Sequence, residues 1–226
     1  MTDGQSYAKG PIEPPLLEYT IGEALERAAM AWADGLALVS RHQGLSWTWA
    51  DLDAEVDRIA TGLLSRGVQK GDRVGIWAPN CAEWTVVQFA TARIGAILVT
   101  INPAYRVSEV EYALNKVGCT VLVTAPCFKT SDYIGMLREL WPEKLPHLRL
   151  MVSLGPDLHE GFLRWNELGL APDRVVLSAA AAVLDRNDAI NIQFTSGTTG
   201  FPKGATLTHR NILNNGLACG RQIRLT

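Results

Sequence analysis

From Ile21 onward the chain switches repeatedly between apolar residues at helical spacing and short unbroken runs of Val, Ile and Leu. After Thr48, the residues Leu52, Val56, Ile59, Ala60, Leu63 and Leu64 fall on one helical face, and Gly67 stops the pattern. Thr48 with Asp51 three positions on reads as a capping-box start. The same reasoning predicts helices over Ile21–Ala33, Ala82–Ile94 and Ser131–Leu140. It predicts one more up to Val117, with Ser108 and Glu111 as its capping box. Between them lie predicted strands at Leu36–Ser40, Leu45–Trp47, Arg73–Ala78, Ala96–Ile101, Thr120–Thr124 and Leu148–Val152, with Gly44 turning between the first two. Residues 154–188 carry a loop with a short helix, a second helix in VVLSAAAAVL, and a polar turn at Asp185–Asp188. Ala189–Phe194 and Ala205–Leu207 read as strands, and Thr208 caps a helix running through Ile212 and Leu213 towards Leu217.

Strands alternating with helices of these lengths give βαβ units. The fold class is therefore α/β, with a mostly parallel sheet and helices on both faces. Residues 1–20 are proline-bearing and aperiodic and read as an extended arm; 21–226 form one domain, with no low-complexity linker. Asn102-Pro103-Ala104-Tyr105 reads as a turn after a strand.

Composition narrows the function classes. Lys and Arg total 21 against 23 Asp and Glu, so nothing marks a nucleic-acid surface. The four cysteines form no CxxC pair and the four histidines are dispersed, so no metal site is expected and the thiols read as reduced and mostly buried. The seven tryptophans are scattered and read mainly as core and pocket walls. The N-terminus shows neither a signal h-region nor an Arg-rich amphipathic pattern, and no apolar run is long enough to span a membrane. The expected location is the cytoplasm.

The chemistry concentrates in TSGTTGFPKG, Thr195 to Gly204, a loop between two predicted strands. Its glycines let the backbone approach a ligand and form an anion-binding nest. Thr195, Ser196, Thr198 and Thr199 add hydroxyl donors, and Lys203 adds a charge on a flexible stem behind Pro202. No acidic residue interrupts the stretch. The pattern fits a polyphosphate, yet it differs from the usual P-loop, where Gly-Lys-[Ser/Thr] opens a helix.

This stretch resembles the signature of the adenylate-forming superfamily, which includes acyl-CoA synthetases, beetle luciferases and the adenylation domains of peptide synthetases. Thr195, Ser196, Gly197, Thr198, Thr199, Gly200, Pro202, Lys203 and Gly204 match that signature, with Phe201 in its free position. Leu45–Trp84, Ala92–Arg106 and EYALNKVGCTVLVTAPCFKTSDY are similar to fatty-acyl-CoA synthetases of the medium-chain type. The resemblance implies an incomplete N-terminal domain of the acyl-CoA synthetase/luciferase-like fold. It implies a fatty-acid–CoA ligase that uses ATP, Mg2+ and coenzyme A on a small-molecule carboxylic acid. It assigns Thr195, Ser196, Thr198 and Thr199, with the backbone of Gly197 and Gly200, to the β- and γ-phosphates. Lys203 would be catalytic or would stabilise the loop. Family members are more than twice as long, so this chain is expected to be an N-terminal portion, inactive alone, with an exposed apolar sheet edge. The alternatives are a non-catalytic nucleotide-binding fragment, or adenylation of an aryl or amino acid. His209 and Arg210, just beyond the signature, stand either near a nucleotide or as a solvated helix start.

Overall fold

Threonine hydroxyls cap two helices where the pattern predicts, at Thr48 and Thr208. In the computed structural model, which describes residues 13–195 and 202–224, Thr20 caps α1 (Ile21–Ala31) in a capping box with Glu23. The hairpin β1 (Leu36–Ser40) and β2 (Leu45–Thr48) follows, turned by Gly44 at φ 66. Thr48 and Asp51 then start α2 (Trp49–Ser65). β3 (Arg73–Trp77), α3 (Ala82–Ile94), β4 (Ile97–Thr100), α4 (Val107–Val117) and β5 (Val121–Thr124) continue the alternation. A small hairpin, β6 (Cys127–Phe128) and β7 (Ser131–Asp132), leads into α5 (Tyr133–Leu140). The chain proceeds through β8 (Leu150–Ser153), β9 (Leu163–Arg164), α6 (Trp165–Leu168) and α7 (Arg174–Ala181). It ends in β10 (Ala189–Thr195), β11 (Lys203–Thr208) and α8 (His209–Gln222). Residues 1–12 of the expected arm lie outside the described residues.

Several boundaries differ from the sequence reading, α1, β3, β4 and β8 by one or two residues at an end. The start of α4 is capped from Arg106, whose N–H donates to Glu109 at 2.8 Å, so Ser108 and Glu111 lie inside the helix. Ser131 and Asp132 pair back on Cys127 and Phe128, and Asp132 caps α5 by accepting from the Gly135 N–H at 2.9 Å. β10 and β11 run further into the signature than predicted, taking Thr195 and Lys203.

The main sheet has seven strands in the order β11-β10-β4-β3-β5-β8-β9. All its neighbours are parallel except the β10–β11 hairpin. The step from β3 to β4 goes one way along the sheet, and the step from β4 to β5 goes back past β3. Right-handed crossovers therefore put α3 and α4 on opposite faces. Packing agrees: α1, α2, α3 and α7 contact one another, and α4 contacts α5.

The strands β3 and β5 are almost completely buried between these layers, which explains their unbroken apolar runs. One charged side chain lies inside the helical layer. Arg93 of α3 is 3% exposed and is held by Asp53, 2.5 Å away, and by Asp57, both on α2. The carboxylate partners raise its pKa further, against the effect of burial, so it stays charged. Elsewhere in that layer α2 meets α6 so closely that Gly62 leaves no room for a Cβ beside the Leu168 carbonyl. Arg66 donates to both the Gly62 and Leu168 carbonyls at 3.0 Å, and also to Glu167 O.

The tryptophans divide. Trp77 and Trp165 are buried, Trp47, Trp49 and Trp84 are half-buried, and Trp32 is 62% exposed. The cysteines correct the expectation of mostly buried thiols: all four are free, but only Cys119 is buried, while Cys127 and Cys219 are exposed.

Candidate functional site

Because β3, β4, β5, β8, β9 and β10 are parallel, their carboxyl ends share one edge of the sheet. The chain leaves β3 and β4 towards opposite faces, and this is where open α/β sheets place ligands. Thr195, the last residue of β10, reaches that edge next to β4.

The ground beneath it is rigid. The turn Asn102–Tyr105 at the end of β4 closes with Tyr105 N–H donating to Asn102 O at 3.0 Å, and Asn102 Oδ1 accepts from Ala104 N–H at 2.9 Å. The Trp77 indole donates to Asn102 O at 3.2 Å, and the Tyr133 hydroxyl donates to Pro103 O at 2.5 Å. The two rings stack with centroids 3.6 Å apart and planes 11° from parallel. Burial pushes the Tyr133 phenol up to about 12, so it remains a donor. The turn expected from the sequence is present, and its role is support.

The signature hangs from this edge by a two-stranded neck. Thr195 pairs with Lys203 in the antiparallel register, and the Thr195 hydroxyl donates to Lys203 O at 3.4 Å. Gly204 faces Phe194 in the register, and a Cβ there would stand 3.0 Å from Ile192 Cγ2. Lys203 is exposed, and among the described residues its ammonium has no carboxylate partner. Ser196, Gly197, Thr198, Thr199 and Gly200 lie outside the described residues. Thr195 and Lys203 are thus brought together at the neck, with Lys203 on the outgoing strand rather than in the loop proper. The donors at hand are a hydroxyl and a cation, which suit phosphate oxygens. No group of three or more His, Cys, Asp or Glu that would suit a metal occurs among the described residues.

Among the described residues the two edges of the sheet are β9 and, on the side of the signature, β11. Its exposed positions Lys203, Gly204, Ala205 and Thr206 are charged, small or polar, so the expected apolar edge is not what this strand presents.

Behind the neck, Thr208 caps α8 in a capping box with Asn211. His209 is fully buried, which overturns a solvated helix start for this residue. Its Nδ1 accepts from the Ile21 N–H at 3.2 Å, and burial lowers its pKa, so the ring is neutral. Arg210 pairs instead with Glu18 at 3.0 Å. Asn214 completes a clasp on the arm: its Oδ1 accepts from Leu17 N–H at 2.7 Å and its Nδ2 donates to Leu17 O at 3.0 Å. These contacts had no signal in the local sequence pattern, because their partners lie almost the whole chain apart.

Comparison with known proteins agrees with this architecture. The chain is 43% identical to the medium-chain acyl-CoA ligase ACSF2, mitochondrial, of Bos taurus, over 98% of this chain and 38% of that protein. It spans less than two fifths of the bovine relative's length. The MbtA structure of Mycobacterium smegmatis superposes with a TM-score of 0.79 at 27% identity, covering 97% of this chain and 41% of that one. The acetoacetyl-CoA synthetase of Streptomyces lividans superposes with a TM-score of 0.76 at 28% identity, covering 90% and 32%. Among the described residues no helix is long and apolar enough to cross a membrane. The profile described as AMP-binding enzyme matches residues 25–225, nearly the whole chain, and the chain belongs to that family.

Proposed function

We propose that this chain carries the triphosphate-holding part of a fatty-acid–CoA ligase acting on medium-chain acids. The observation that carries the reading is the signature itself, held at the carboxyl edge of a parallel sheet in a chain of the AMP-binding family. The bovine relative's name supplies the acid class and the thiol acceptor.

In the proposed reaction a carboxylate oxygen attacks the α-phosphorus of ATP. The bond to the bridging oxygen breaks and pyrophosphate leaves. The thiol of coenzyme A then attacks the acyl carbonyl carbon and AMP leaves. The chain's part is to hold the triphosphate in line and to offset charge on the departing pyrophosphate. Ser196, Thr198 and Thr199 donate hydroxyls, Thr195 turns its own from Lys203 O to the nucleotide, and Gly197 and Gly200 offer backbone N–H groups to the β- and γ-phosphates. Lys203, projecting from the neck, supplies the positive charge. Mg2+ would arrive with the nucleotide, held by phosphate oxygens. We keep the cytoplasm as the proposed location. The bovine relative is named as mitochondrial, so fractionation against markers of both compartments is the check.

The test is acid-dependent pyrophosphate exchange by the complete gene product. Octanoate and decanoate should support exchange, and Lys203→Ala should slow it by about tenfold to a thousandfold, as loss of a charged transition-state contact does. Exchange with aryl or amino acids but not fatty acids would replace the acid class. Unchanged exchange in Lys203→Ala would remove the lysine from the mechanism. Nucleotide binding without exchange for any acid would favour a non-catalytic binding role.

A further inference from the structure

We infer that Tyr112 of α4 is a positioning residue for the neck of the phosphate-binding stretch, an inference that rests on the role proposed above for that stretch. The Tyr112 hydroxyl donates to the Pro202 carbonyl at 3.2 Å, across 90 residues of sequence. That carbonyl belongs to the peptide plane that ends at the Lys203 Cα. Fixing it therefore fixes the direction in which Lys203 leaves the backbone.

The neck needs such a third support. On one side Lys203 is held by its register with Thr195 and by the Thr195 hydroxyl on its own carbonyl. On the other side β11 is an edge of the sheet, with no strand beyond it among the described residues. Pro202, one residue beyond the Thr195–Lys203 pair, has no N–H to donate to the ladder. Tyr112 reaches it from a different layer. α4 is seated by the buried Val110, Ala113 and Leu114, and its start follows the turn that Trp77 and Tyr133 hold. The tyrosine thus links the outgoing strand to the rigid end of β4, and it does so one residue before the proposed catalytic cation. The residue positions a group of the site and touches no reactant itself.

The experiment compares Tyr112→Phe and Lys203→Ala with the unmodified complete gene product in pyrophosphate exchange, measuring KM for ATP, KM for the acid and kcat, with thermal melts alongside. Phenylalanine keeps the ring and removes the hydroxyl that bonds Pro202 O. KM for ATP should rise about two- to tenfold, the range that one hydrogen bond spans, with KM for the acid and the melting temperature unchanged. A prop without a positioning role would lower the melting temperature and move both KM values together, and that result would overturn the inference. If Tyr112→Phe leaves KM for ATP unchanged while Lys203→Ala weakens exchange, the site stands and the inference falls. If Lys203→Ala also leaves ATP kinetics unchanged, the reading of the site fails and takes the inference with it.

Discussion

Two glycine-to-alanine substitutions should move stability in opposite directions, and the structure gives both signs. Both glycines sit inside helices, where alanine ordinarily gains about 0.5–1 kcal/mol. At Gly216 of α8 nothing lies within 4 Å of an added Cβ, so the gain should be realised. At Gly62 of α2 the new Cβ would lie 1.9 Å from Leu168 O and 2.8 Å from Leu168 C. It is about 1.5 Å short of ordinary contact, and the obstacle is backbone, which cannot rotate away. Leu168 is fully buried, and its carbonyl accepts from Arg66 at 3.0 Å, so α6 would have to shift away from α2 and loosen that bond. Overpacking of this kind costs about 1–3 kcal/mol, and the strained hydrogen bond adds about 1 kcal/mol. After the helical gain, the net loss should be about 2 kcal/mol. For a chain of this size that is a melting temperature lower by about 4–8 °C, against a rise of about 1–4 °C for Gly216→Ala. Differential scanning calorimetry of the 226-residue chain measures both. A Gly62→Ala protein that melts at or above the wild type would refute the reasoning, because α6 would then be yielding at no cost.

Two further outcomes follow from burial. His209 is neutral and buried, with Asp188, Glu23 and Asp185 favouring its charged form and Lys70 opposing it; burial prevails and its folded pKa lies below 6.5. Its unfolded form therefore takes up the proton first, so its contribution is fully present above about pH 6.5 and is lost as pH falls below that. His209→Gln should flatten the fall in melting temperature below about pH 6.5, and parallel curves would remove His209 as the cause. Thiol titration at pH 8 should find Cys127 and Cys219 fast, since both are exposed. Burial pushes Cys81 up to about 11 and Cys119 up to about 12, so these should react slowly until the protein is denatured; fast labelling of Cys119 in the native protein would contradict its place in the core.

Local pattern was enough to place most elements. The α2 start at Thr48, the Gly67 stop, at φ 77, and the α3 span follow from caps, a left-handed glycine and apolar spacing. The α4 start was misread because Ser108 resembles a cap better than Arg106 does, although the carboxylate that closes the turn is Glu109. The helix in VVLSAAAAVL exists, but of its residues only Leu177 is buried, while Val175 is 80% exposed. At the site, the signature announced its own chemistry through glycines, hydroxyls and one lysine. What surrounds it was silent. Tyr112, Tyr133 and Asn214 act across 30 to 197 residues, and no periodicity records a partner at that distance.

The clasp between Leu17 and Asn214 also sets an order of events at the ribosome. Leu17 leaves the exit tunnel 197 residues ahead of its partner Asn214. While β3, β4, β5 and β8 can pair as they emerge, Leu17 and the Ile21 N–H must wait in solvent for Asn214 and His209. The segment around Leu17 is thus fastened only after β3, β4, β5 and β8 have been made, and until then it stays accessible to whatever acts on an emerging chain.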